Sequence, residues 1–423
     1  MQTVAEIRPY RPDIDGLRSV AILAVLLAHG GFSPFAGGDT ALGAFFVVSG
    51  YLLTQALVRG GVSIVEFYDR RARRILPTLI VATAATLGAG TLLLPGDEVA
   101  GLARAAFVSV ALVSNVASLD DPGAGPLLHT WSLSMAGQIF VLLPLAVALF
   151  ARVGRRAAVP LVAVATLASF GLGAADAPGT GAVHVHHRFW QFGVGALVAL
   201  VPLDPPRRRL AGILAGIGMV AVVVPVFASD PEMSRSGVGA LPTVLGSALV
   251  IWANRRGTAA GAILGAPPVM FLGVISYSLH VWHWPLLVFA RRVWGDLDTI
   301  GSFGWLAATV PVATLSWYFV EQPLRYQAGP IRGRLAVLAA SLAGIASAVA
   351  LVAVIASDGA AAVRPAVAAA YAGEGPPACP APCGAGSEVS DRDDERDPHH
   401  RDVSPPGWES AATGGGTPHP SDE

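Results

Sequence analysis

Lysine is absent: all 28 basic side chains are arginine. This goes with an abundance of Ala, Gly and Val and reads first as a coding bias. Arginine at any single position is therefore weak grounds for a function. Charge as a whole is scarce. Charged residues make up 13% of the 423 positions, where soluble domains run nearer a quarter. The net charge of -1 gives no argument for nucleic acid or another strongly acidic partner. Cysteine is nearly absent. Cys379 and Cys383 lie near the C-terminus with no metal-ligand spacing to other ligands, so neither a metal site nor a catalytic thiol is suggested. They read either as a local disulfide in a tail outside the cell or as two idle thiols. No small-x-small cleavage site cleanly follows the first apolar run, so that run is kept as a permanent helix.

What is present is apolar. Hydrophobic residues are 53% of the chain. A bilayer core takes about 20 apolar residues per helix. Runs of that kind fall near 17–33, 41–58, 75–94, 137–151, 157–174, 189–203, 210–228, 238–253, 269–290, 301–320 and 334–357. The stretch 100–118 is broken by Arg104, Ser109, Ser114 and Asn115 and reads as a partly buried or interfacial helix. The expected fold is therefore all-α: a polytopic membrane helix bundle with a ten-helix core and an eleventh helix. The expected organisation is a membrane domain at 1–330, an additional transmembrane helix at 331–357 and a polar, disordered tail at 358–423.

Arginine bias sets the orientation. Arg59, Arg70, Arg71, Arg73 and Arg74 follow the second span; Arg152, Arg155 and Arg156 the fourth; Arg207, Arg208 and Arg209 the sixth. Arg255 and Arg256 follow the eighth, and Arg325, Arg332 and Arg334 the tenth. All these loops fall on one side. The expected placement is the cell (inner or plasma) membrane, with the N-terminus cytoplasmic and the C-terminus outside.

Ionisable groups within membrane helices are costly and mark functional candidates. The first span carries Arg18 and, 11 residues on, His29. That is close to three helical turns, so both share a face, about 16 Å apart along the axis. Spacing alone leaves two readings open: a polar pathway, or an anchor at one end and an interfacial histidine at the other. Ser49-Gly50 in the second span is a small step that lets helices approach closely. Arg71 and Arg74 are helical neighbours able to fork onto one phosphate group, and they also serve orientation. His129-Thr130-Trp131-Ser132-Leu133-Ser134 precedes the fourth span. The ninth holds Ser276-Tyr277-Ser278-Leu279-His280-Val281-Trp282-His283-Trp284-Pro285. An aromatic belt explains the tryptophans but not two histidines. His184, His186, His187 and Arg188 open the sixth span. Contact with a polar substrate is favoured there over a metal site.

Taken together these strings resemble the acyltransferase-3 family of integral membrane O-acyltransferases. The matching pieces are Arg11 to Arg18, the Arg18–His29 spacing, Phe45 to Tyr51, Arg71 to Pro77, His129 to Ser134, Ile275 to Pro285 and Phe319 to Arg325. They stand in the family's order and cover residues 8 to about 330. The resemblance implies transfer of an acyl group from a cytoplasmic donor, usually acyl-CoA, to a hydroxyl of a carbohydrate-containing acceptor at or across the membrane. Acyl-CoA would be a co-substrate, and no cofactor or metal is implied. Partners would be acyl-CoA, the acceptor and membrane lipid, with no nucleic acid. His29 would be the catalytic histidine and Arg18 its partner. Arg71 and Arg74 would bind the donor, and Glu321 matches the family's acid near the tenth span. Asp15, Ser49, His129, Trp131, Ser134, Arg188, Tyr277 and His283 are the remaining motif residues.

Departures stand beside the matches. The family's Asp before the double Phe is here Gly43, and its Val-Glu-Glu-Gln-Phe is here Met135-Ala136-Gly137-Gln138-Ile139. His280 stands where the family often has Tyr. Many relatives carry a soluble esterase-like domain after the eleventh helix, and only a polar tail is expected here. Two alternatives remain: a catalytically degenerate relative acting as a membrane partner, and a transporter of polar solutes.

Overall fold

The computed structural model describes residues 10–58, 63–117, 122–153, 155–175, 184–201, 203–229 and 239–326. The eleventh span, the tail and both cysteines lie outside these residues. The described residues are helical, with no strand among them. In order they form α1 (Pro12–His29), α2 (Leu42–Val58), α3 (Ile64–Leu93), α4 (Gly96–Val110), α5 (Ser114–Ala117), α6 (Trp131–Val153), α7 (Arg155–Ala175) and α8 (Val185–Leu200). There follow α9 (Arg208–Ala228), α10 (Leu241–Ala253), α11 (Ala259–Leu264), α12 (Pro267–Val274), α13 (Ser276–Trp294), α14 (Thr299–Ser316) and α15 (Gln322–Tyr326).

The outer faces are apolar. Ile213, Ile217, Val220 and Val224 form an exposed stripe along α9, and Leu161, Val164 and Leu167 do the same on α7. An outward apolar stripe at helical spacing suits hydrocarbon, not water. The chain is a multi-pass membrane protein. Among the described residues, five helical stretches are long and apolar enough to cross a membrane: Gly38–Val58, Ile64–Leu93, Ala158–Ala175, Arg208–Ala228 and Thr299–Arg325. A sixth is the pair α12 and α13, bent by 66°. The expected count of ten or eleven is larger. Two of the expected spans, α8 and α10, have 16 and 13 residues, about 24 and 20 Å of helix against a core of about 30 Å.

Boundaries move for identifiable reasons. The third span was expected from residue 75, but α3 starts at Ile64. Ser63 accepts from the backbone N–H of Glu66, half of a Ser-x-x-Glu capping box. Ion pairs Arg70–Glu66 and Arg73–Asp69, each four apart, then hold the polar first turns. Arg71 and Arg74 sit on this helix as the neighbours their spacing predicts. The ninth span is broken at Ile275. The tenth ends in a π-turn at Trp317–Glu321, just before Pro323, which lacks the N–H that a regular helix would use.

Lipid is as apolar as leucine, so helices associate here through close packing. A Cβ on Gly50 of α2 would fall 2.0 Å from the carbonyl oxygen of Phe192, and one on Gly195 of α8 2.0 Å from that of Val47. The two helices cross at these glycines, as the Ser49-Gly50 step predicts. The first helix is clasped from the other side: a Cβ on Gly273 would fall 1.7 Å from Asp15 O. Ser19 donates to Val269 O across the same contact. This buries α1 along most of its length, with Leu17, Ala21, Ile22 and Val25 at 0% exposure. The helix that carries Arg18 and His29 is thus the centre of the bundle and not a lipid-facing anchor.

Candidate active site

Near the start of α1, charge is fixed in pairs. Arg11 meets Asp13 through two hydrogen bonds of 2.6 and 2.7 Å. Burial works against the charge on Arg11, but the hydrogen bond and charge of Asp13 raise its pKa above the ordinary arginine value. Arg18 pairs with Asp15 at 2.9 Å, and Asp15 also accepts from Tyr10. Arg18 is 8% exposed, and its side chain lines an internal cavity of about 120 Å³.

The cavity gathers residues that are far apart in the chain. Arg71 and Arg74 of α3 line it with Arg18, beside Ser49, Phe45 and Phe46 of α2. The Arg71 guanidinium lies 5.3 Å from the Phe140 ring centroid and 5.7 Å from that of Phe67. Arg71 and Arg74 make no ion pair among the described residues. Asp15 pairs with Arg18 and the buried Glu321 acts electrostatically on Arg74 and Arg18, so three guanidiniums outnumber the two carboxylates near them and suit a polyanionic group. Farther along, the cavity is lined by Ser132, Ser276, Tyr277 and His280. Ser132 Oγ lies 3.1 Å from His280 Nε2 and 3.3 Å from His129 O. Tyr277 donates to Ile75 O at 2.5 Å, tying α13 to α3.

At the other end of α1, His29 is held from both sides. Its Nδ1 is 2.9 Å from His283 Nε2, and its Nε2 is 3.1 Å from Asp39 Oδ1. His283 Nδ1 faces the carbonyl oxygens of His280 at 2.7 Å and Leu279 at 3.1 Å. The His29 and His283 rings are stacked, and Trp284 meets His29 edge-on at 4.9 Å. Trp284 is itself fixed by donating to Gly125 O. His129 closes the cluster, 5.4 Å from His280 and 5.3 Å from His283 between centroids. The arrangement is a carboxylate–imidazole–imidazole chain with an adjoining line of rings that leads to the cavity.

The structure thus joins Arg18, Asp15, Ser49, Arg71, Arg74 and Tyr277 at the cavity, and His29, His129 and His283 at the ring cluster. Ser134, Arg188 and Glu321 do not line the cavity, although Glu321 acts electrostatically on Arg74 and Arg18, and Asp39 on Arg188. Ser134 bonds to Ser114 at 2.8 Å and ties α6 to α5. Arg188 is 3% exposed and lies over the Trp131 ring at 5.9 Å. Glu321 is 1% exposed, 3.5 Å from Arg325. At the start of α8 the His184 and His186 rings stack, and His187 meets both edge-on.

Three participants escape a reading of the sequence. Asp39 lies in a 3-10 turn (Gly38–Ala41) that no periodicity marks. Ser132 and His280 stand in strings already singled out, but their pairing spans 148 positions. The only sequence signal for that pair is His280 itself, in place of the family's Tyr.

The model of an acyltransferase domain family, acyltransferase-3, matches residues 11–321. BcsY of Komagataeibacter xylinus, assigned as a membrane-bound transacylase, is 31% identical over 363 residues, 81% of this chain and 91% of the relative. The peptidoglycan O-acetyltransferase OatA of Listeria monocytogenes is 26% identical over 353 residues, 75% of this chain and 56% of the relative. A Staphylococcus aureus protein assigned as an O-acetyltransferase is 25% identical over 351 residues, 75% of this chain and 57% of the relative. The chain thus spans just over half the length of these last two relatives. No solved structure matches it.

Proposed function

We propose a function from one premise: the chain belongs to the acyltransferase-3 family, matched over residues 11–321. It is an O-acyltransferase that moves a small acyl group, acetyl in the first instance, from acyl-CoA on the cytoplasmic side to a carbohydrate hydroxyl on the far side. Relatives named for O-acetylation of peptidoglycan and for transacylation support the class of reaction. The orientation follows the arginine bias, which puts Arg18, Arg71 and Arg74 on the donor side.

One observation carries the reading. A single buried helix, α1, presents Arg18 to a cavity shared with Arg71 and Arg74, and His29 to a carboxylate and a second imidazole. The first end suits the phosphates of CoA. The second suits acid–base work, because transfer to a hydroxyl needs a base for its proton, and imidazole serves at neutral pH. The loss of acid at Gly43, Ala136 and Gly137 motivates the degenerate alternative, yet His29 has a carboxylate in Asp39.

The test is transfer of label from radiolabelled acetyl-CoA to a soluble oligosaccharide by the protein in proteoliposomes. His29→Ala should lower the rate by at least about a hundredfold, the usual contribution of a positioned acid–base group. An unchanged rate would rule out the mechanism, and flux of solute without acyl turnover would favour a transporter.

A further inference from the structure

His29 does not line the cavity that would receive the thioester. Both of its ring nitrogens are engaged, by His283 and by Asp39. The cavity is instead lined by a different nucleophile and base: Ser132 Oγ, 3.1 Å from His280 Nε2. Ser132 is 4% exposed and His280 half-buried, and the one Ser132 hydroxyl proton has two acceptors in reach, His280 Nε2 at 3.1 Å and His129 O at 3.3 Å, the imidazole being the nearer. A serine hydroxyl within hydrogen-bond reach of an imidazole, in a cavity with three arginines, is the geometry of an activated nucleophile. His29 lies two ring contacts away, through His283 at 5.3 Å and from His283 to His280 at 5.6 Å. Donor and acceptor chemistry are therefore housed separately.

We propose that the reaction runs through an acyl-Ser132 intermediate, with His280 as the base that activates Ser132. The inference rests on the acyltransferase reading above and specifies how the acyl group leaves the donor. In the first half, Ser132 Oγ attacks the thioester carbon and its proton passes to His280 Nε2. The C–S bond breaks, and the electron pair stays on sulfur as a thiolate stabilised by Arg18, Arg71 and Arg74, later protonated by water on the donor side. In the second half, the acceptor oxygen attacks the ester carbon and the acceptor's proton goes to His29, which releases it to water on the acceptor side and so offsets the proton that the thiolate takes from water on the donor side. The C–Oγ bond breaks, and Oγ recovers the proton held by His280. Each acyl group crosses from the arginine end to the histidine end in two exchanges, with Ser132 as the carrier.

The experiment uses the full chain in nanodiscs with radiolabelled acetyl-CoA and no acceptor, quenched in denaturant and mapped by peptide mass spectrometry. The wild type should carry label on Ser132, about one per chain. His29→Ala should still acquire that label while losing transfer to acceptor. Ser132→Ala should acquire none and lose transfer by at least about a hundredfold, and His280→Phe should slow labelling by a similar factor. Ser132→Cys guards against misfolding of the alanine variant: its label should become labile to neutral hydroxylamine, as a thioester is and an oxygen ester is not. If wild-type protein transfers acetyl while Ser132→Ala does so at the same rate, or while neither the wild type nor the Ser132→Cys variant ever labels at this position, the intermediate is refuted and the acyltransferase reading stands. If the wild type neither labels nor transfers, that reading fails and the intermediate fails with it.

Discussion

Asp39→Asn tests whether His29 works with a counter-charge. Three hydrogen bonds run through the two rings: Asp39 to His29 at 3.1 Å, His29 to His283 at 2.9 Å, and His283 to the His280 carbonyl at 2.7 Å. The His280 carbonyl oxygen and the Asp39 carboxylate can only accept, and the charge of Asp39 faces any proton that His29 gains. An asparagine can turn its amide and donate to His29 Nε2 instead. All three bonds then persist with two ring protons and no charge, and the variant should fold like the parent. What is lost is a charge-assisted contact to the imidazolium that forms as His29 takes the acceptor's proton. The pair is sheltered, with side-chain exposures of 20% and 27%. Such a contact contributes about 1.5–3 kcal/mol, which is roughly a ten- to hundredfold fall in kcat. The assay is the initial rate of label transfer in proteoliposomes at saturating acetyl-CoA, with thermal stability in detergent as the folding check. A rate within twofold of wild type, in protein of unchanged stability, would refute the reasoning.

Arg71→Ala and Arg74→Ala should each raise KM for acetyl-CoA by roughly ten- to a hundredfold, from about 1.5–3 kcal/mol per charge-assisted contact; titration of the donor in the same assay reads this directly. Gly273→Ala should unfold the clasp on α1 because its Cβ meets Asp15 O at 1.7 Å, whereas Gly88→Ala has open space; fluorescence-detected size exclusion after heating should show a large loss for the first and none for the second. Restoring the family's acid with Gly137→Glu should lower stability and give no gain of transfer, because a Cβ there meets Leu112 Cδ1 at 2.7 Å; the same heating and transfer assays read both.

Much of the bundle was legible because one rule dominates a membrane chain: backbone groups must be satisfied within helices, so apolar length marks the elements. That rule misplaces elements wherever polar residues continue a helix. The start of α3 is the clear case. Glu66, Asp69, Arg70 and Arg73 look like a loop to an apolar window, while their four-residue ion pairs and the Ser63 cap make a helix. The break at Ile275 is invisible for the opposite reason. The stretch as a whole is long and apolar enough for one span, and the bend falls beside Gly273, where the chain packs against Asp15 of α1.

The site was legible by face and not by partner. Helical spacing placed Arg18 and His29 on one side of α1, and both side chains do engage polar partners, Asp15 for the first and His283 and Asp39 for the second. It could not say that His29 meets His283, 254 positions away, or that Asp39 closes the other side. The same limit bears on the missing acids. Read along the chain, Gly43, Ala136 and Gly137 are three losses. In space they are packing positions: a Cβ on Gly43 would fall 2.9 Å from Val244 Cγ2, Gly137 abuts Leu112, and Ala136 lines the cavity. A carboxylate at 136 would share that cavity with Arg18, Arg71 and Arg74 and compete with donor phosphates for them. The carboxylate beside His29 comes instead from a short turn ten residues downstream, a contact that no linear motif records.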